Sequence, residues 1–422
     1  MISSFASKAQ ELIQMTVHSG ESFYVHPEAN VSVFSDLNNA GIIGTFNSST
    51  INFLGQRWSN RRGSFINDES RNGQTGIGGT IKFSGSTEQY ISTQTSSQVN
   101  TGFPNITLTN SKNLILEGSD LLVRRTFNFQ RGLVFLNNRN AVFLSTSNIT
   151  GYNVNNYFVT GTSTSGGALI RKTNGIQQSQ IDFPVGTKVG SYTPASISYI
   201  GLAQDLKVRV FDNVYDKGTF GNPDVDNFVS KTWNVAFSTL DPKANMTLYL
   251  QHNAAEESSS FASERDKSVV GKFETKNEKW DFLKPSGFSA GIISSGGAVV
   301  PNAYVSTLTI AGAVEFNEFY SKAVDKTNVL ANYRVPVGIS PNDDGLNDKF
   351  VIENLKSTDK VRIDIYNKWQ SLVYREYDYK NTFEGIGNQQ NLMNSKLPDG
   401  TYYYILTFND SKPITGYIII NR

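Results

Sequence analysis

The sequence predicts an all-β protein: an N-terminal β-solenoid or sandwich, a β-sandwich-like middle domain and an Ig-like C-terminal β-sandwich. Three observations carry this. Hydrophobic side chains make up 38% of the 422 residues and charged ones only 18%, a balance typical of sheet proteins with many polar turns. Aromatics reach 12%, with 27 Phe and 19 Tyr, and their flat rings pack well on pleated faces. Short apolar runs of period two recur along most of the chain, separated by turn-forming Asn, Ser and Gly.

At this length two to four domains are expected. The formal net charge is +1, so no long-range field draws the chain to nucleic acid or to an anionic membrane. No local run of Lys and Arg changes that, and nucleic acid is not expected as a partner. Cysteine is absent, which excludes disulfides, thiolate zinc centres and cysteine nucleophiles. No stretch approaches the roughly eighteen consecutive apolar residues of a membrane-spanning helix.

In the opening segment, Ser7-Lys8-Ala9 before Gln10 resembles the small-residue end of a signal peptide, without the basic and apolar regions that normally precede it. Residues 1–9 are read as the remnant of an export signal whose start lies upstream. From 10 to 165, runs such as Val31-Ser32-Val33-Phe34, Ile51-Asn52-Phe53-Leu54, Ile81-Lys82-Phe83 and Ile106-Thr107-Leu108 imply strands with one buried face. Asn72-Gly73, Asn110-Ser111 and Asn137-Asn138 supply turns. Their spacing is irregular, so a solenoid of short rungs and an antiparallel sandwich both fit. The solenoid is favoured, because stacked Asn and Thr turns account for the polar richness. From 166 to 323 the runs lengthen, and 206–211, 232–237, 246–250 and 304–310 read as strands of a second, sandwich-like domain. Between them 254–267 is polar and reads as an exposed loop or short helix. Residues 324–334 are the expected linker.

The remainder, 335–422, is more specific. It contains Ser340-Pro341-Asn342-Asp343-Asp344-Gly345-Leu346-Asn347-Asp348, then Ile365-Tyr366-Asn367-Lys368-Trp369, then Leu397-Pro398-Asp399-Gly400-Thr401-Tyr402-Tyr403-Tyr404, and finally Gly416-Tyr417-Ile418-Ile419-Ile420-Asn421-Arg422. Read as residues, 397–400 is a turn in which Pro presets φ and Gly accepts a positive one. Residues 361–366 and 372–374 flank Asn367-Lys368-Trp369 as a hairpin. That much gives a small β-sandwich. The four blocks, in this order, resemble the gliding motility-associated C-terminal domain, the type B sorting signal of the type IX secretion system of Bacteroidota. Three positions depart from the family's pattern. Asp343 and Gln370 stand where Gly is usual, and Phe383-Glu384-Gly385 stands for Trp-Asp-Gly.

The resemblance implies export through the periplasm to the cell surface, the outer membrane or the medium. Its implied partners are a PorV-type shuttle protein and an SprA-type outer-membrane translocon. Both faces of the strand at 416–422 are apolar, so one is expected to pack inward and the other to meet a partner. Tyr417, Ile418, Ile419, Ile420, Asn421 and Arg422 are therefore the candidate secretion-signal contacts.

Asn342, Asp344, Asn347 and Asp348 form an oxygen-rich cluster whose sharpest reading is a calcium site. The EF-hand spacing of Gly and Glu is not met, so an Asx-rich turn is preferred and no cofactor is expected. His18, His26 and His252 are far apart, without an H-E-x-x-H phrase, and His252 reads as part of a surface loop. No G-x-S-x-G marks an esterase elbow. A glycosidase needs only two suitably spaced carboxylates, which sequence spacing does not reveal. Asp36, Asp68, Glu69, Glu88, Glu117 and Asp120 fall in no repeated phrase. Trp58, Trp233 and Trp280 are expected as core rings. The sequence thus predicts a non-enzymatic surface or secretion-associated binding protein serving gliding or adhesion, with surface glycans or other gliding proteins as further partners. A secreted glycan-degrading enzyme and a carbohydrate-binding adhesin are the alternatives.

Overall fold

In a computed structural model, residues 14–94, 101–175, 178–283, 286–293, 302–312, 316–324, 333–389, 392–408 and 413–422 are described. The expected signal remnant at 1–9 and most of the linker at 324–334 lie outside them. The chain divides into two compact units, Met1–Val324 and Asp325–Arg422.

The N-terminal part is a solenoid. One parallel sheet stacks Gln14–Val17, Asp36–Asn39, Arg57–Asn60, Gln89–Thr93 and Leu114–Gly118, and ends in Val134–Phe135, Phe158–Val159 and Val185–Gly186. A second stacks Asn30–Val33, Thr50–Phe53, Thr80–Phe83, Phe103–Leu108 and Leu121–Phe129. Ser22–Val25, Ile42–Thr45 and Phe65–Asn67 form a short third sheet beside the first coils.

Register sets like over like. Val31, Ile51, Ile81, Ile106 and Phe127 make one inward column of the second sheet, and Val33, Phe53, Phe83, Leu108 and Phe129 the next. A slip of one residue would turn both columns to water. Trp58, fully buried, meets Phe53, Phe83 and Phe103 at ring-centroid distances of 5.4, 6.2 and 5.6 Å, where tilted aromatic pairs add to area burial. The corner amides of Asn39 and Gln89 find partners within the stack. Asn39 donates to Asn60 Oδ1 (3.3 Å) and to the Phe65 carbonyl (3.1 Å). Gln89 donates to the Phe53 and Gly55 carbonyls.

The irregular spacing has a physical source. The coil from Trp58 to its partner Ile91 carries an extra loop that begins at Asp68, and a buried ion pair pins it. Arg124 Nη1 meets Asp68 Oδ2 at 2.7 Å, with side chains no more than 3% exposed. Arg124 also donates to the carbonyls of Ile66, Gly73 and Gly102.

The second sheet continues past the solenoid. Ala141–Phe143 pairs with Leu169–Lys172, and from there the sheet turns antiparallel through Asp205–Asp212, Lys231–Phe237, Asn317–Val324, Ser268–Glu274 and Lys279–Leu283. A five-stranded antiparallel sheet, ordered Gln178–Phe183, Ala195–Ile200, Asn245–Asn253, Ala303–Ala311, Ser286–Ala290, forms the facing layer. Val208, Trp233 and Leu248 of this sandwich belong to the same buried cluster as Ile51 and Phe83 of the solenoid. The boundary read at 165/166 therefore falls inside one shared core. A coil stack needs its last coil covered, and the sandwich supplies that cover.

Asp325–Arg422 has its own core, including Ile339, Phe350, Val361, Ile363, Leu406 and Ile418. Gly338–Ile339, Ile414–Ile420, Gly400–Phe408, Val361–Tyr366 and Leu372–Glu376 form its sheet in that order. Phe350, Ile352, Tyr379, Phe383 and Leu397 complete the core from irregular segments. Among the described residues the second sheet of the expected Ig-like sandwich is reduced to isolated bridges, Arg334 with Glu353 and Ile386 with Lys396. Asn354, Asn381 and Asn394 adopt positive φ there, which breaks regular strand pairing.

Removing one partner of a buried ion pair costs about 3–5 kcal/mol. Calorimetry of Asp68→Ala should lower the melting transition of the first unit by roughly 5–15 °C and leave that of the second in place. A shift of both transitions contradicts the division into two units, and a shift of neither contradicts the role given to the ion pair.

Candidate functional site

Ile414–Ile420 lies between Gly400–Phe408 and the short strand Gly338–Ile339. Alternation sends Ile418 (0% exposed) and Ile420 (1%) into the core and leaves Tyr417 (49%) and Ile419 (44%) outside. Tyr417 pairs across the ladder with the exposed Tyr403. The Ile419 amide donates to the Val337 carbonyl at 2.9 Å, and the Val337 side chain is also exposed. Tyr403, Tyr417 and Ile419 thus make an apolar stripe on the outer side of the sheet. Asn421 and Arg422 act differently. The Asn421 amide donates to the Ile339 carbonyl at 3.1 Å. The Arg422 guanidinium donates to the carbonyls of Leu397 (2.7 Å) and Gly385 (3.2 Å) and pairs with Asp399 (3.0 Å). The six candidate contacts therefore split into two outward residues, two core residues and two staples.

The oxygen cluster folds as a turn. Asp348 accepts the backbone amides of Asn342 (3.0 Å), Asp343 (2.9 Å) and Gly345 (2.8 Å). Asp344 accepts the Leu346 amide at 2.8 Å, and Asn342 Oδ1 accepts that of Asp344 at 3.1 Å. Asn347 bends the backbone at φ 54°. Asp343 and Gln370 sit at φ 66° and 63°, a region that favours glycine. The geometry thus explains why glycine suits both positions in the family that the sequence resembles.

Residues 333–420 match the CHU_C type IX secretion signal domain. The chain carries a type IX secretion signal. No curated protein and no solved structure matches the chain. The matched span lies wholly within the second unit, hereafter the sorting module. The protein is a type IX cargo, exported to the cell surface or secreted.

The first unit holds a site that sequence reasoning missed. His252, read as a surface-loop residue, is fully buried at the end of Asn245–Asn253. Its Nε2–H donates to Glu257 at 2.7 Å, which leaves Nδ1 to accept from Lys322 Nζ at 2.5 Å. Lys322 also donates to the Tyr304 carbonyl at 2.9 Å. Arg265 closes the network with bonds of 2.7 and 2.6 Å to Glu257. The short turns Ala254–Glu256 and Ser259–Ala262 fold Glu257 back onto the ring, so the segment read as an exposed loop is partly interior. Burial, followed by the Lys322 ammonium, pushes His252 down to about 4. Burial holds Lys322 well below the usual lysine range. For Glu257, burial acts upward, but the bonds from His252 and Arg265 outweigh it and keep the carboxyl low. Lys322 and His252 stand on opposite sheets, so their bond ties the two layers of the sandwich. Neither has exposed surface, and the network works as a structural tie.

The acids weighed for glycoside cleavage are each engaged. Asp36 accepts the amides of Gln56 and Arg57, Asp68 holds Arg124, and Glu69 accepts the amides of Ile77 and Gly78. Glu88 accepts from Tyr90, Glu117 pairs with Arg57, and Asp120 accepts from Asn140. Trp58 and Trp233 are fully buried. Trp280 is half-buried, and its indole donates to the Tyr215 carbonyl at 2.8 Å.

His252 stays neutral in the fold down to about pH 4 but titrates near 6.5 when unfolded. The unfolded chain binds the extra proton in that window, so stability falls as pH drops through it. The melting temperature of the first unit should decline from pH 6.5 to 5, and His252→Gln should flatten that decline. Equal slopes in the two proteins would remove His252 from the cause.

Proposed function

We propose that the sorting module is collected by a PorV-type shuttle and delivered to an SprA-type translocon. Its passenger, the solenoid–sandwich unit, is on this reading a non-enzymatic surface-binding protein serving gliding or adhesion. The observation that carries the proposal is that the matched residues, 333–420, coincide with a unit possessing its own core. A signal that folds by itself can be read whatever passenger it carries. The stripe of Tyr403, Tyr417 and Ile419 is assigned to the shuttle, because exposed, contiguous apolar surface on a small unit marks an interaction site. Commitment of the N-terminal acids to structural bonds supports a binding role over catalysis.

No ion takes part in this reading, since the Asp348 and Asp344 oxygens accept backbone amides. EDTA should leave the melting temperature of the module unchanged, and a calcium-dependent rise of several degrees would contradict this. Deleting 333–422 should leave the first unit folded but confined to the periplasm. Protease shaving of intact cells reads this directly, and cleavage of the truncated chain at the surface counts against the proposal. The double variant Tyr417→Ser/Ile419→Ser separates docking from folding. It should melt nearly as the native protein while copurification with the shuttle falls about 30-fold, the equivalent of about 2 kcal/mol. Undiminished copurification would place the contact elsewhere.

A further inference from the structure

The outward side of the second sheet is as ordered as its inward side. Asn30, Thr50, Thr80, Asn105, Thr126 and Asn148 follow in direct register, one per rung. Two residues further along each strand runs a second column: Ser32, Asn52, Lys82, Thr107, Asn128 and Thr150. None of these residues is buried, and no register shift falls between the two columns. Rungs repeat at about 4.8 Å and the columns lie about 6.7 Å apart, so six rungs present a polar grid about 24 Å long.

Strand propensity does not account for the Asn in this pattern. Asn is depleted in strands, yet five of these positions hold it. The solenoid's other long sheet has a different outward side, where Arg57 pairs with Glu117 and stacks on Tyr90. On the grid much hydrogen-bonding capacity is unspent. Among the described residues, Ser32, Thr50, Thr80, Thr107, Thr126 and Asn148 make no side-chain hydrogen bond within the protein. The bonds that do occur are Asn52 to Asn30 (2.5 Å), Thr150 to Asn128 (3.1 Å) and Asn105 to the carbonyls of Ile77, Gly78 and Gly79 (2.9, 3.2 and 3.1 Å). A second observation concerns the end of the first rungs. Phe34 follows Val33 with 77% of its surface exposed, and Leu54, whose amide donates to the Val33 carbonyl, is 37% exposed beside it. An unburied ring adjoining a polar grid gives the face both kinds of contact that a sugar polymer uses.

We infer that this face binds a neutral, extended β-linked polysaccharide that runs along the stack of rungs. The inference rests on the reading of the first unit as a surface-binding protein and names its ligand class. Ring hydroxyls offer donors and acceptors at close to the rung spacing, and Asn, Thr and Ser side chains can answer either. Lys82 is the single charged residue in the two columns, which favours a neutral chain over a uronic acid polymer. Phe34 receives the apolar face of a sugar ring at one end. Individually weak contacts become effective because one chain engages many rungs at once.

The test uses the full-length protein with insoluble cellulose and chitin as neutral probes and polygalacturonate as the acidic one. The native protein should be retained on at least one neutral polymer. The triple variant Thr80→Val/Thr107→Val/Thr126→Val should lose at least ten-fold in retention at an unchanged melting temperature, and Phe34→Ala should lose several-fold. Ser59→Val/Ser92→Val on the other sheet should bind as the native protein does. Retention on neither neutral polymer, preference for polygalacturonate, or equal retention of ladder and control variants overturns the inference. Protease shaving of cells expressing the same proteins separates the two readings. A chain displayed at the surface but retained by neither neutral polymer defeats the ligand assignment alone. A chain retained on the polymer but never displayed defeats the export reading alone.

Discussion

Parallel rungs in direct register oblige each position to repeat its kind, because the residue above and the residue below are the neighbours it must pack against. Ile51, Ile81 and Ile106 stack on one another, as do Phe53 and Phe83. Insertions are then admissible only at corners, where they leave the columns undisturbed. The loop after Asp68 is such an insertion, and the Asp68–Arg124 pair holds it against the stack at 2.7 Å. Buried pairs of this kind add little net stability, but they penalise any arrangement that separates the charges. The pair therefore fixes where the loop sits more than it strengthens the fold.

The same sheet carries order into the sandwich. From Leu169–Lys172 onward the strands reverse to antiparallel while the sheet stays continuous. The facing layer is held by apolar burial and by the bond from Lys322 to His252. A buried lysine beside a buried histidine is tolerable only when every donor finds an acceptor. Here the Tyr304 carbonyl and the imidazole Nδ1 take the two N–H bonds of the neutral amine that burial favours at Lys322, and the Glu257 carboxylate takes the imidazole Nε2–H. Arg265 offsets the remaining carboxylate charge.

How much of this was legible in the sequence follows from the range of each interaction. Period-two runs such as Ile81-Lys82-Phe83 gave the strands, because alternation is local. They did not separate solenoid from sandwich, since parallel and antiparallel rungs alternate alike and the extra loop at Asp68 hid the repeat. The 397–400 turn and the 361–374 hairpin were legible for the same local reason, and the four blocks around them carried the sorting module. His252 was not legible, because its partner Lys322 lies 70 residues away. The stripe on the module was half legible: alternation marked two faces at 417–420, but only the fold shows that Ile418 and Ile420 face the core. The second layer of the module escaped, since positive-φ Asn residues break its strands.

Two units with separate cores divide the work: one is carried, and the other is read. The most direct test of that division is to fuse residues 325–422 to a reporter protein foreign to the secretion pathway and to measure protease accessibility on intact cells. If the module alone is the address, the reporter appears at the surface in cells with a working type IX translocon and stays periplasmic in cells without one. A reporter that remains periplasmic in both would show that the address also needs the solenoid–sandwich unit, and would contradict the division of labour.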